Sequence, residues 1–498
     1  MEHVKLIEKL EGYRRRNAVN HGYINCDLYR LFYDRDPELI TAMRAESYLP
    51  QPNRTTMIPK KNGKMRKLSF PTGKDKLVQE AIRMILECIY EPTFSNLSHG
   101  FRPKRSTQSA IAEIETWKGT IWFMEGDIAA CFDEIDHRIL EFILRERIHD
   151  ERFIRLINKI LKAGYFDMQR NYHRTQTGNA QGSCCSPILC NIYLDKLDRF
   201  MEQIIERDTK GKYRRQNPEY TRARYQYHKA LHNGSDPLLT ESLLREWNKF
   251  SATDRFDPQF RRIRYVRYAD DFLIGIIAPK SYAVELKQQI KDFLQYKLAL
   301  RLSDEKTVIT HAAEHDVAFL GYILRKGYGK HNRFQNRPFD PTLRILMNTE
   351  GILKRLREHG MCTASGYPIG ITRLFRESPQ DILQYANQVL RGLLHQQSGC
   401  YNFSEGWRIQ YIIQFSVAKT LARKFDISLK KVFARYGYSL RMHYKKRQGI
   451  HSLCRPCPLP IICKAQELLL DRQIGSDIVP TAYLQPGQSA YRWLLHLR

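Results

Sequence analysis

The sequence predicts an α+β fold followed by an all-helical region. Three observations lead there. Strand-like and helix-like segments alternate to about residue 325. From about Pro341 onward, helical periodicity dominates. The chain has 498 residues and 42% hydrophobic content, enough to bury several cores and, by length, about three domains. Strands and helices first, then helices alone, is the pattern of an α+β region joined to a helical one.

The elements follow in order. The first fifty residues are charged and read as helical, as in Cys26-Asp27-Leu28-Tyr29-Arg30-Leu31-Phe32. Residues 58–68 are basic, and Asn62-Gly63 between two extendable runs predicts a hairpin with a type I′ turn. Over 76–90, Leu77, Ala81, Ile82, Ile85, Leu86 and Ile89 recur at a helical period. Residues 121–128 read as a buried strand. Residues 137–148 read as a helix with Ile139, Leu140, Ile143 and Leu144 on one side, and 187–200 as another helix. The stretch 201–262 is polar and basic, densest at Lys210-Gly211-Lys212-Tyr213-Arg214-Arg215, and reads as an insertion with a solvated or RNA-facing surface. Residues 263–277 read as two strands joined at Ala269-Asp270-Asp271, 284–298 as a helix, and 317–323 as one short strand. The expected divisions are a helical N-terminal extension (1–55), a strand-and-helix region (56–335), a helical domain (336–440) and a basic tail (441–498).

Charge narrows the partners. Lys and Arg number 81 against 53 Asp and Glu, giving a formal net charge of +28. Such an excess attracts polyanions, either a membrane surface or nucleic acid. No apolar run approaches the ~20 residues of a membrane span, and the acid-bearing start Met1-Glu2-His3 does not resemble a secretory or transit leader. With 28 Tyr and 23 Phe available for stacking, nucleic acid is the expected partner. The 11 cysteines are odd in number and scattered, which reads as reduced thiols in a cytoplasm or organelle matrix, not a secreted disulfide framework.

Two adjacent acids, Asp270 and Asp271, lie between the apolar runs 264–268 and 272–277. Charges in such a place need a partner, and a divalent metal is a natural one; a surface turn is the alternative for the tetrapeptide Tyr268-Ala269-Asp270-Asp271 alone. Asp127 ends another apolar strand, where a strand-end cap is the alternative. If the two strands are neighbours, three carboxylates can hold two Mg²⁺ ions about 4 Å apart, one activating a 3′-hydroxyl and the other steadying a triphosphate and its leaving pyrophosphate. Hard oxygen ligands suit Mg²⁺, with Mn²⁺ as a substitute. Phe132, five positions after Asp127, either stacks beneath a sugar or packs in a core; spacing does not choose.

Taken together the motifs resemble those of group II intron reverse transcriptases, or maturases, over nearly the whole chain. The blocks are Ile58-Pro59-Lys60-Lys61-Asn62-Gly63-Lys64 with Arg66, Ser98-His99-Gly100-Phe101-Arg102-Pro103, Glu125-Gly126-Asp127 through Phe132-Asp133, Gln181-Gly182 with Ser186-Pro187, Tyr268-Ala269-Asp270-Asp271, Asp304-Glu305-Lys306-Thr307, and Phe319-Leu320-Gly321-Tyr322. Seven blocks in order are specific where each alone is weak. The resemblance implies a right-hand polymerase: fingers and palm with an antiparallel sheet plus helices, then an α-helical thumb, domain X. It implies that Asp127, Asp270 and Asp271 are catalytic metal ligands and that Phe132 screens the sugar. Lys60, Lys61 and Arg66 would meet the triphosphate, Gln181 would lie beside the templating pair, and Lys306 near the pyrophosphate. Arg408, Lys419, Arg423, Lys424, Lys430 and Lys431, on and after an amphipathic helix with Ile409, Ile412, Ile413, Val417 and Leu421 on one side, would meet intron RNA.

Implied partners are group II intron RNA, an RNA template with DNA primer, dNTPs and target DNA, with no membrane. The implied activity is RNA-directed DNA synthesis coupled to assisted splicing and retrohoming. The alternatives are a domesticated enzyme of phage defence or CRISPR adaptation, and a non-catalytic splicing factor. Three departures stand out. Ala180 replaces the usual proline before Gln181-Gly182, so that turn is expected to be altered. The Gly-rich stretch before the first block is short. Cys454-Arg455-Pro456-Cys457, with His451 and Cys463, is a lone Cys-x-x-Cys in place of the paired motifs of an H-N-H endonuclease. Neither a structural zinc site nor second-strand cleavage is expected.

Overall fold

Two helices, α1 (Glu2–Val19) and α2 (Pro37–Arg44), precede an antiparallel pair, β1 (Asn53–Pro59) and β2 (Met65–Phe70). The computed structural model describes residues 2–19, 37–59, 63, 65–234, 236–250, 252–254, 257–326, 343–440, 442–444 and 449–451. The hairpin is present, with Pro59↔Met65 as the last pair of its ladder; of the expected Asn62-Gly63 turn only Gly63 is among the described residues. Lys60, Lys61, Asn62 and Lys64 lie outside the described residues, as do 26–32 and Cys454, Cys457 and Cys463.

Helix α3 (Gly73–Tyr90) starts at Thr72, whose hydroxyl accepts from the Asp75 amide. It buries Ile82, Leu86 and Ile89 and leaves Leu77 exposed. Next come α4 (Thr107–Glu115), β3 (Trp122–Ala129), the single turn α5 (Cys131–Glu134), α6 (His137–Arg145) and α7 (Glu151–Leu161). Two short strands, β4 (Tyr165–Phe166) and β5 (Tyr172–His173), complete a four-stranded sheet in the order β2-β1-β4-β5. Helix α8 runs Ser186–Asp208, farther than the sequence reading allowed. Met201 and Ile204 are core residues, so the insertion begins after Asp208 and consists largely of the hairpin α9 (Pro218–His232) and α10 (Pro237–Trp247).

The central sheet carries β6 (Arg262–Tyr268), β7 (Asp271–Ile277), β3 and, after α11 (Lys280–Leu298), the strands β8 (Arg301–Leu302) and β9 (Val308–His311), both of which pair with β3. The expected single strand at 317–323 is instead a hairpin, β10 (Val317–Phe319) with β11 (Tyr322–Lys326). Leu320 and Gly321 both have positive φ, the pattern of a two-residue type I′ turn. The third strand of that sheet, β12 (Leu343–Met347), lies where helix was expected; with only five residues its apolar alternation is too short for a helical period to emerge. Helices α12 (Thr349–Glu358), α13 (Pro379–Gln396), α14 (Glu405–Phe425) and α15 (Leu429–Tyr436) follow.

The central sheet divides two apolar cores, because successive strand residues point to opposite faces. Met124 and Ile128 of β3, with Phe272, Ile274 and Ile276 of β7, join α3, α6, α7, α8 and α11. Phe123, Leu273 and Val266 turn the other way, toward Trp117, β10–β12 and the C-terminal helices. Each fully buried Leu or Ile there contributes about 1.5–3 kcal/mol. The sheet is thus gripped from both sides, and the ends of β3, β6 and β7 are fixed with it.

Candidate active site

The central site is built by strand register. Strands β3 and β7 run antiparallel with Asp127 opposite Asp271 and Gly126 opposite Phe272. Tyr268 pairs with Asp271, so Ala269 and Asp270 form a two-residue connection between β6 and β7. Ala269 takes φ +59°, the left-handed conformation that such a short connection requires at its first residue. Gly126 leaves room for Phe272: a Cβ there would lie 2.0 Å from that ring. Glycine before Asp127 is therefore a packing requirement of the β3–β7 pair.

Asp127 lies opposite Asp271 across the ladder, with the two carboxylates close enough for each charge to act on the other. Burial, then the charges of Asp270 and Asp127, push the Asp271 carboxyl up to about 7. Burial raises Asp270 as well, against the opposing fields of Arg66 and Lys306. Lys306 donates to Asp127 Oδ2 at 2.8 Å with its side chain 61% exposed. Its loop is held by the Ser303 amide on the Asp127 carbonyl at 2.9 Å. Among the described residues no three carboxylate, imidazole or thiol groups converge in a ready-made metal cage. Asp127 and Asp271 face each other across the strand pair, and Asp270 acts on Asp271 through its field. The donor chemistry still fits a divalent cation: three acids crowd one another beside a single hydrogen-bonded lysine.

Around this centre, Arg66 is exposed on β2. Phe132 on α5 is half-buried against the core and meets Phe101 edge-on at 6.1 Å between ring centres. The side-chain amide of Gln181 donates to Asp133 Oδ2 at 3.3 Å, and the Gln181 backbone carbonyl accepts from the Ser69 amide at 2.7 Å. The turn after Ala180 is fastened without proline: Ser186 Oγ donates to Asn179 Oδ1 and to the Ala180 carbonyl, and Ser183 Oγ donates to Gln79 Oε1. So the structure gathers Asp127, Asp270, Asp271 and Lys306 at one point, with the charge of Arg66 acting on Asp270.

One charged pair escaped the sequence reading. Arg267 and Asp198 are both 0% exposed and bonded to each other at 2.6 Å. A signal was present: Ile263, Tyr265 and Arg267 alternate onto one strand face, so a buried cation there needed an acid elsewhere.

The comparisons with known proteins now bear on this geometry. Residues 58–216 match the family described as reverse transcriptase (RNA-dependent DNA polymerase), and residues 343–454 match the type II intron maturase family. The chain is 33% identical to the group II intron-encoded protein LtrA of Lactococcus lactis subsp. cremoris, over 88% of this chain and 76% of that protein. It belongs to the family of group II intron reverse transcriptases/maturases. The putative COX1/OXI3 intron 2 protein of Saccharomyces cerevisiae is 36% identical over 78% of this chain, which spans about half of that longer protein (47%). Among solved structures, the RNA-dependent RNA polymerase 3Dpol of Sicinivirus aligns over 78% of this chain and 68% of that one, at 13% identity and a TM-score of 0.41.

In the maturase-type region, α14 buries Ile409, Ile412, Ile413, Val417 and Leu421 as its period requires. Its basic residues divide in two. Arg408, Arg423, Lys430 and Lys431 are exposed. Lys419 Nζ donates to the Pro368 carbonyl at 2.8 Å beside the Tyr367 ring, and Lys424 Nζ donates to the Phe375 carbonyl at 3.0 Å. These two lysines fasten the segment before α13 onto α14. No helix among the described residues is long and apolar enough to cross a membrane.

Proposed function

We propose that this chain is an RNA-directed DNA polymerase that binds group II intron RNA, assists its splicing and copies it into cDNA during retrohoming. The observation that carries the reading is the register setting Asp127 opposite Asp271, beside Asp270, inside the reverse transcriptase match. Asp127, Asp270 and Asp271 would hold Mg²⁺, with Mn²⁺ as a substitute. A divalent ion bound there makes a 3′-hydroxyl more acidic and neutralises a triphosphate.

The remaining roles belong to the chain itself. Arg66, with Lys60 and Lys61 in the same block, attracts the triphosphate of a dNTP. The Phe132 ring blocks the space that a 2′-hydroxyl needs. Gln181 lines the templating pair. Lys306 Nζ, hydrogen-bonded to Asp127 before substrate arrives, is a proton donor beside the acids and serves the departing pyrophosphate. Arg408, Arg423, Lys430 and Lys431 provide exposed charge for intron RNA, which makes that binding fall steeply with salt.

Splicing assistance depends on charge and shape, not on the acids. Asp270→Ala is therefore expected to reduce primer extension on an RNA template by about 10³-fold or more, while assisted splicing stays within about two-fold. Primer extension and intron-splicing assays on the same folded preparation decide the matter. Absence of incorporation by the unsubstituted chain at every salt concentration tested would remove the polymerase reading; an equal loss of splicing in Asp270→Ala would remove the separation of roles.

A further inference from the structure

The buried Arg267–Asp198 pair lies directly behind the acidic turn and is tied to it. All five guanidinium N–H groups are used: Nε on Asp198 Oδ1 (2.8 Å), Nη2 on Asp198 Oδ2 (2.6 Å) and Ser98 Oγ (2.8 Å), and Nη1 on Asn191 Oδ1 (3.1 Å) and the Ala269 carbonyl (2.9 Å). The last bond reaches the left-handed residue that precedes Asp270. Asn191 passes the restraint on, donating from Nδ2 to the Gly100 carbonyl at 2.9 Å. Gly100 in turn is pressed against the turn so closely that a Cβ would lie 2.3 Å from the Ala269 nitrogen. Backbone bonds repeat the tie, from the Arg267 amide to the Leu97 carbonyl and from the His99 amide to the Arg267 carbonyl, each 2.8 Å.

Three distant stretches of sequence thus close on one turn, and Arg267 bonds its Ala269 carbonyl. A planar fork with five fixed donors suits that task; a lysine ammonium, with three donors at one point, does not. A left-handed alanine is strained and persists only where its surroundings hold it. We infer that Arg267 is a positioning residue: with Asp198, Asn191 and Ser98 it locks the Ala269 turn and so fixes Asp270 and Asp271 for the divalent cation. This rests on the polymerase reading only for the cation's use in catalysis.

The test is binding of free Mn²⁺ by electron paramagnetic resonance, alongside the Mg²⁺ dependence of primer extension and thermal unfolding. Arg267→Lys is expected to weaken Mn²⁺ binding by about 10–100-fold, the usual effect of losing a group that orients metal ligands. High Mg²⁺ should restore part of its activity. Asn191→Ala, which keeps the ion pair, shifts the same readouts in the same direction by a smaller factor and decides the matter if Arg267→Lys does not fold. Tyr265→Phe is the comparison: it removes a 2.9 Å bond to Asp198 but none to the turn, and should lower the melting temperature without moving Mn²⁺ affinity. If Asn191→Ala and any folded Arg267→Lys also keep the unsubstituted affinity, the pair is an ordinary core ion pair and the inference is overturned. An unsubstituted chain that binds Mn²⁺ but incorporates no nucleotide refutes the polymerase reading and leaves the positioning result standing on the binding data.

Discussion

Two charge clusters, one fully buried and one half-buried, stand on either side of the Tyr268–Asp271 connection, and they are opposites. Behind it, Arg267 and Asp198 form a closed set in which charge and hydrogen bonds are matched. In front, Asp127, Asp270 and Asp271 are crowded acids whose repulsion is eased by one hydrogen-bonded lysine. Burying a charge is tolerable when partners satisfy it and costly when they do not. The matched cluster is fit to hold a shape. The mismatched one holds unfavourable free energy that a bound cation would release.

The largest expected effect comes from opening the closed cluster. Asp198→Ala leaves Arg267 buried without its counter-charge and is expected to lower unfolding stability by about 3–5 kcal/mol, measured by urea denaturation. A loss below about 1 kcal/mol would mean that water reaches Arg267 and that the contrast between the clusters is weaker than the burial implies.

Next in size is the joint between them. In Gly100→Ala the new methyl group meets backbone, not a flexible side chain. The Ala269 turn must shift, and primer extension is expected to fall by about 10²-fold, with a stability loss of about 1–3 kcal/mol. Full activity in this variant would show that the turn tolerates displacement.

The smallest effect relaxes the open cluster. In the metal-free protein, Asp271 titrates near 7 when folded and close to the ordinary carboxylate value when unfolded. Folding therefore resists its ionisation: this group's contribution to stability is fullest below about pH 4 and is lost as pH rises toward 7. Asp271→Asn should thus stabilise the metal-free protein by on the order of 1 kcal/mol at pH 8, and by less at pH 5. Melting curves in chelator at both pH values test this, and an equal gain at both would assign the effect to something other than titration. The same variant should lose the stabilisation that Mg²⁺ confers on the unsubstituted chain.

These comparisons also mark what could be read from the sequence. The apolar side of α14, the helix at α3 and the strands on either side of Asp270 follow from local periodicity, so the sequence reading located them. The failures have local causes too. The end of α8 was missed because Glu202, Glu206 and Arg207 mask the buried Met201 and Ile204. The β10–β11 hairpin was missed because its connection is Leu320-Gly321, without the Asn or Asp that usually marks such a turn.

The sequence by itself determined the α+β-then-helical order, the positive charge, and the ordered motifs that single out Asp127, Asp270 and Asp271. Only the tertiary structure decided that Asp127 lies opposite Asp271, that Lys419 and Lys424 are spent on internal carbonyls, and that Arg267 is matched to Asp198 behind the turn. The physical reason is range. Periodicity and turn chemistry act over a few residues, whereas strand register and charge pairing join positions 69 to 144 residues apart (Arg267 with Asp198; Asp271 with Asp127), and only folding brings those together.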